Sequence, residues 1–115
     1  TVWTALDDAT VDTGYMQIVP GSHKLGILNE EHFTSSEDQL EYCSPDRVLD
    51  LEVPAGEAVL IHNWLLYRSG VNPTDAPRRA FSVVYMDANT RSTEGGDSFP
   101  VIFDKDALQP RSALH

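Results

Sequence analysis

One cysteine, Cys43, in 115 residues excludes an intramolecular disulfide and any Cys-rich zinc motif. It stands in Glu41-Tyr42-Cys43-Ser44-Pro45, among acids that disfavour a thiolate, so it reads as an ordinary loop cysteine. Positive charge is also scarce: 8 Lys and Arg face 18 Asp and Glu, a formal charge of -10. A field of that sign repels phosphate backbones and anionic membrane surfaces, and no basic block offsets it. Nucleic-acid and membrane partners are therefore not expected. No apolar run reaches the length of a membrane-crossing helix, and no secretory signal pattern opens the chain. With the single cysteine, this gives an expectation of a cytoplasmic setting. No amphipathic stretch is long enough for a βαβ crossover, which excludes a doubly wound sheet.

What is present is a globular composition, 41% hydrophobic and 23% charged, over a length suited to a single domain, residues 1–115. The pattern is one of short strands separated by turn residues. Val2 to Leu6 reads as a strand, followed by an acidic turn from Asp7 to Gly14, and Tyr15 to Val19 as a second strand stopped by Pro20-Gly21-Ser22. His23 to Pro45 is polar; Ser35 to Leu40 is predicted to form one helical turn, with Ser36 as its cap. Val48 to Val53 partly alternates, and Pro54-Ala55-Gly56-Glu57 turns into Ala58 to His62, an apolar run suited to burial on both faces. Arg79 to Asp87 reads as the last strand, with a polar Ala88 to Asp97 and a loosely patterned tail beyond it. Evenly spaced strands with Gly and Pro turns predict an all-β sandwich or barrel. The opening TVWTAL has mid-strand character, which suggests a fragment or a shortened relative of something longer.

Several residues carry possible chemistry. Arg78 and Arg79 are adjacent, so strand alternation sends them to opposite faces and at most one can point inward. A guanidinium so placed grips a carboxylate with two parallel hydrogen bonds, or else pairs with surface acids. His62 ends an apolar strand; it is either a metal ligand or a satisfied strand-end ring. The second reading is preferred, because metal sites need convergent ligands and the sequence places none beside it. His23 reads as part of a turn. Ser69 and Asn72 read as turn formers, and Asp7 and Asp8 as a solvated turn rather than a catalytic pair.

Four segments, in order, carry a resemblance. They are TVWTALDD from Thr1, GYMQIVPGSH from Gly14 to His23, Val53-Pro54-Ala55-Gly56-Glu57, and the run from Tyr67 to Arg78. Together they resemble the C-terminal portion of the phytanoyl-CoA dioxygenase-like family of Fe(II)/2-oxoglutarate oxygenases. The last segment matches a family pattern of His, Ser two residues on, Asn five on and Arg eleven on. Ser69, Asn72 and Arg78 keep their places, whereas the first position holds Tyr67. The resemblance implies a double-stranded β-helix, a jelly-roll of cupin type, here incomplete and with one long loop. It also implies Fe(II) and 2-oxoglutarate as family cofactors and a small-molecule substrate, faced by the segment from Lys24 to Asp46.

By the same resemblance, Arg78 grips the far carboxylate of 2-oxoglutarate, and Trp3 either lines that pocket or belongs to the core. Family iron is held by an HxD motif and the distal histidine, a facial triad. The chain contains no His-x-Asp, and Tyr67 stands at the distal position, so no iron is expected on this chain alone and the chain is expected to be inactive. Tyr67 is expected as a packed aromatic with a hydrogen-bonded hydroxyl, filling space that an iron would take. The alternative is a non-enzymatic β-barrel module that binds a small carboxylate or serves as a dimeric structural unit. With the module reading goes the expectation of a homodimer or domain-swapped assembly that covers open sheet edges.

Overall fold

The computed structural model describes residues 1–29, 33–96 and 99. The chain divides into two compact units, Thr1–Val84 and Tyr85–His115. In the first unit the elements are β1 (Val2–Ala5), β2 (Met16–Ile18), α1 (Ser36–Tyr42), β3 (Leu49–Leu51), β4 (Ala58–Leu60), β5 (Tyr67–Ser69) and β6 (Ala80–Val83). Short 3-10 turns lie at Val11–Thr13 and Ser22–Leu25. The strands form two antiparallel three-stranded sheets, ordered β4-β1-β6 and β3-β2-β5. The all-β class expected from the turn spacing is what the structure has.

Alternation places the core. Trp3 and Ala5 on β1, Met16 on β2, and Ala9, Val53 and Ile61 from the connections form one buried cluster. Ile18, Leu51, Val59, Leu65 and Ala80 pack against it half-buried. Trp3 pairs with Val59 and Ser82, and Met16 with Leu51 and Ser69, so these residues share the inner faces of their sheets. Odd and even positions therefore separate cleanly. Gln17, one residue from Met16, faces outward and joins all three strands of its sheet. Its Nε2 donates to Asp50 Oδ1 at 2.6 Å, and its Oε1 accepts from Arg68 Nε at 2.7 Å. This polar ladder fixes the register, because a slip of one residue would bury it and expose the Met16 row.

Five of the six strands sit where the sequence puts them but are shorter, and β5 falls in a run that the sequence does not read as a strand. Val48 to Val53 is reduced to β3, and Val53 instead makes an isolated bridge with Ala9. The strand expected from Arg79 to Asp87 ends at Val83, because its neighbour β1 begins opposite, at Val2. The helix is longer than one turn and its cap is Ser35, not Ser36. Ser35 Oγ accepts from Asp38 N–H at 3.1 Å, while Asp38 Oδ2 accepts from Ser35 N–H at 2.9 Å.

Ala58 to His62 is not buried on both faces: Leu60 is 82% exposed, because β4 is a sheet edge whose inner side alone, at Val59, meets the core. Leu60 shares its outward face with Val2 and Val83, next to Thr4, Ala58 and Phe81, and none of these six residues is charged. Ser69 lies in β5, not in a turn.

In the second unit the described residues form turns. Asp87 Oδ1 accepts from Asn89 N–H at 2.8 Å, and Ser92 Oγ accepts from Glu94 N–H at 3.1 Å. The tail from Pro100 onward lies outside the described residues.

Candidate functional site

The run from Ile61 to Ala80 is held by three separate devices. The first is Ser22, one of the few buried polar side chains, at 4% exposed. Gly21 takes a left-handed φ of 80°, which turns the chain after Pro20 and aims the Ser22 hydroxyl at the segment before Tyr67. Ser22 Oγ accepts from Leu66 N–H at 2.9 Å, and Leu66 C=O accepts from Val19 N–H at 3.0 Å. Sequence reasoning read this stretch as a plain turn and missed Ser22. The available signal was a small hydroxyl directly after Pro-Gly at a strand end.

The second device is the approach of Gly14 to the chain after β5. Gly70 N–H donates to Tyr15 C=O at 2.9 Å, and Gly14, with φ 86°, sits against it. A Cβ at Gly14 would lie 2.8 Å from Gly70 O and 3.1 Å from Asn72 N. Asn72 then closes the bend, as expected of a turn former. Its Oδ1 accepts from Thr74 N–H at 3.0 Å, and its Nδ2 donates to Ala76 C=O at 2.7 Å.

The third device splits the two arginines. Arg79 forks onto Asp7, with Nε to Oδ2 at 2.8 Å and Nη2 to Oδ1 at 2.9 Å, and its backbone N–H donates to Oδ2 at 2.7 Å. Asp7 is thus an anchored partner and not a solvated turn residue. Asp8 is anchored too, accepting from Ala55 N–H at 2.7 Å. The Arg79 side-chain hydrogen bonds hold the Asp7 carboxyl down at about 2, against an ordinary value of 3.8. A depressed carboxylate contributes stability above its unfolded value and loses it on protonation. On acidification from about pH 4 to pH 2 the wild type should therefore lose more stability than Asp7→Asn, read by circular dichroism. An identical acid limb in the variant would rule out this clasp as its source.

With Arg79 turned outward, Arg78 occupies the other side. It lies two residues before Ala80, which packs against the core, so an extended backbone gives both the same inward face. Arg78 is half-buried, and its Nε is fully buried without a hydrogen-bond partner among the described residues. A buried guanidinium nitrogen left unpaired is costly, so the pattern suits an anionic ligand group. Trp3, on the neighbouring strand, is 8% exposed and belongs to the core cluster.

Tyr67 comes from the opposite sheet. It pairs with Ile18, two residues from Met16, and so points to the inner side, yet it is 60% exposed. It is not the packed aromatic expected. Inner-side Ser69 and Ser82 are exposed as well, so the space between the sheets is open at these positions.

His62 is nearby in sequence and is fixed by its own turn: Leu65 N–H donates to His62 C=O at 3.0 Å, and Trp64 N–H donates to His62 Nδ1 at 3.1 Å. The ring centroids of His62 and His23 are 5.1 Å apart, and the Trp64 ring meets His62 edge-on at 5.6 Å. No local sequence pattern signals that the two histidines meet.

The residues present do not fit the family's iron triad. An exposed tyrosine stands at the distal position, and among the described residues no three His, Cys, Asp or Glu side chains are grouped to hold a metal. Among the described residues, no helix is long and apolar enough to cross a membrane.

The family model for phytanoyl-CoA dioxygenase (PhyH) matches residues 1–80. The chain is 32% identical over 90 residues to phytanoyl-CoA dioxygenase 1 of Oryza sativa subsp. japonica, covering 75% of this chain and 32% of that protein. It is 34% identical over 95 residues to phytanoyl-CoA dioxygenase domain-containing protein 1 of Danio rerio, covering 76% and 33%. A homolog of the latter in Caenorhabditis elegans is 29% identical over 105 residues, covering 81% and 36%. The chain thus spans about a third of the length of the relatives it matches. No solved structure matches it.

Proposed function

Because the chain belongs to the phytanoyl-CoA dioxygenase family, we propose that residues 1–84 form the carboxylate-gripping wall of an Fe(II)/2-oxoglutarate oxygenase barrel. The observation that carries this reading is the buried Nε of Arg78, two residues before β6, which has no hydrogen-bond partner among the described residues. A carboxylate reaching it would complete a charge-assisted fork, and the core around Trp3 and Ala80 would keep competing water away. In a complete site, dioxygen would be the oxidant, activated at Fe(II) while 2-oxoglutarate gives up electrons and leaves as succinate and carbon dioxide, so that a small organic substrate is hydroxylated. The contribution of these residues is to bind and orient the cosubstrate. With Tyr67 in place of a distal imidazole, the chain by itself is expected not to convert 2-oxoglutarate to succinate.

Titration of the chain with 2-oxoglutarate, followed by NMR, tests the Arg78 assignment. Arg78→Gln should weaken binding roughly ten- to hundredfold, the worth of a hydrogen-bonded charge pair, and Arg78→Lys should fall between the two. Equal affinity in the wild-type and Gln proteins would refute the assignment. A second reading, a metal-free module that binds small carboxylates, is favoured by Tyr67 itself, since an exposed phenol does not replace an imidazole ligand. The two readings part at iron. Added Fe(II) should tighten 2-oxoglutarate binding in a longer polypeptide that carries an HxD motif and Tyr67→His, and should leave it unchanged if the fold serves only as a module.

A further inference from the structure

In the sequence alone, His62 reads as a plain strand-end residue because no second ligand stands beside it. The fold supplies one. His23 leaves the Pro20-Gly21-Ser22 turn that Ser22 pins to Leu66, and His62 opens the turn that leads to the same Leu66. Their ring centroids lie 5.1 Å apart with the planes tilted by 39°. That separation is short enough for one ion to reach both rings after modest rotation of the side chains. Bonds of roughly 2.0–2.1 Å from zinc to imidazole nitrogen put each ring centroid about 3.2 Å from the metal, and a tetrahedral angle then separates the centroids by about 5.2 Å.

We infer that His23 and His62 form a binding site for one divalent transition metal of the imidazole-preferring group: zinc, nickel or copper(II). Two neutral imidazoles without a carboxylate suit these ions, whereas non-haem Fe(II) sites add an acidic ligand. Among the described residues no third side chain joins the pair, and water or an added ligand can take the remaining coordination positions.

His62 Nδ1 now accepts from Trp64 N–H. Ligation through Nδ1 replaces that donor with the ion, and ligation through Nε2 shifts the ring proton to Nδ1. Either way Trp64 N–H turns to solvent, which it can reach because Trp64 is 49% exposed. The indole ring, its centroid 5.6 Å from that of His62, places a natural reporter beside the ion. The inference does not depend on the carboxylate reading of Arg78, and its test contains no 2-oxoglutarate.

The full 115-residue chain, stripped with chelator, is titrated with zinc by calorimetry and with nickel by tryptophan quenching. One equivalent should bind, with shifts of the His23 and His62 ring protons in NMR. His23→Ala and His62→Ala should each weaken zinc by more than roughly tenfold, the lower end of what even an outer-sphere partner of a metal ligand contributes. His32→Ala and His115→Ala should leave affinity unchanged. Circular dichroism confirms folding, and His23→Gln and His62→Gln provide a second pair of variants should alanine disturb it. No binding at millimolar zinc, full affinity in both single variants, or loss of binding in His32→Ala or His115→Ala would each overturn the site.

Discussion

Gly14→Ala should destabilise the chain by roughly 2–4 kcal/mol, lowering its urea midpoint by about 1–2 M. Two effects add. The φ of 86° is a left-handed conformation that costs a residue with a side chain about 1–2 kcal/mol. The new methyl would also lie 2.8 Å from Gly70 O, a backbone atom that cannot swing away, so β5 or the Asn72 bend must move. Gly56 separates the two effects. Its φ is nearly the same, 87°, but nothing lies within 4 Å of its missing Cβ. Gly56→Ala should therefore show only the conformational part, about 1–2 kcal/mol. Equal losses in the two variants would mean that the contact between Gly14 and Gly70 does not constrain the fold. The functional consequence follows from position: Gly70 begins the segment that runs through Asn72 to Arg78, so Gly14→Ala should weaken carboxylate binding beyond its effect on stability.

Met16→Ala should produce a loss of comparable or greater size, roughly 2–5 kcal/mol, the range seen when a large buried side chain is truncated. Met16 is 1% exposed and the largest fully buried side chain among the described residues. It pairs with Leu51 and Ser69, so it touches both neighbours of its strand while filling the space between the sheets. Neither sheet can close over the vacancy, because each has only three strands and takes its inner face from few residues. Met16→Leu conserves volume and should cost less than about 1.5 kcal/mol. Thermal unfolding of the pair would decide the matter: a leucine variant as damaged as the alanine variant would indicate that sulfur flexibility, and not filled volume, is what this position requires.

Much of this architecture could be read from the chain, for identifiable reasons. Strand positions followed from alternation bounded by Gly and Pro, and the opposite fates of Arg78 and Arg79 followed from a two-residue period that no tertiary contact overrode. The resemblance to the family, drawn from four ordered segments, agrees with the match over residues 1–80. What escaped was everything set by the third dimension. Leu60 looks buried in sequence because it is apolar; only the order β4-β1-β6 reveals it as an edge. Asp7 and Asp8 look like solvent-facing acids until Arg79 and the backbone of Ala55, 72 and 47 residues away, are seen to meet them. His23 and His62 stand 39 positions apart in the sequence, and no local pattern announces such an encounter.

The six-residue outer face around Leu60 and Phe81 has a colloidal consequence. A patch without ions on a molecule of charge -10 is kept from sticking to its neighbours by long-range repulsion alone. That repulsion reaches about 10 Å at 0.1 M salt and only about 3 Å at 1 M. Concentrated salt therefore removes the barrier while leaving the greasy surface intact, and precipitation by salting out should begin from this side of the molecule.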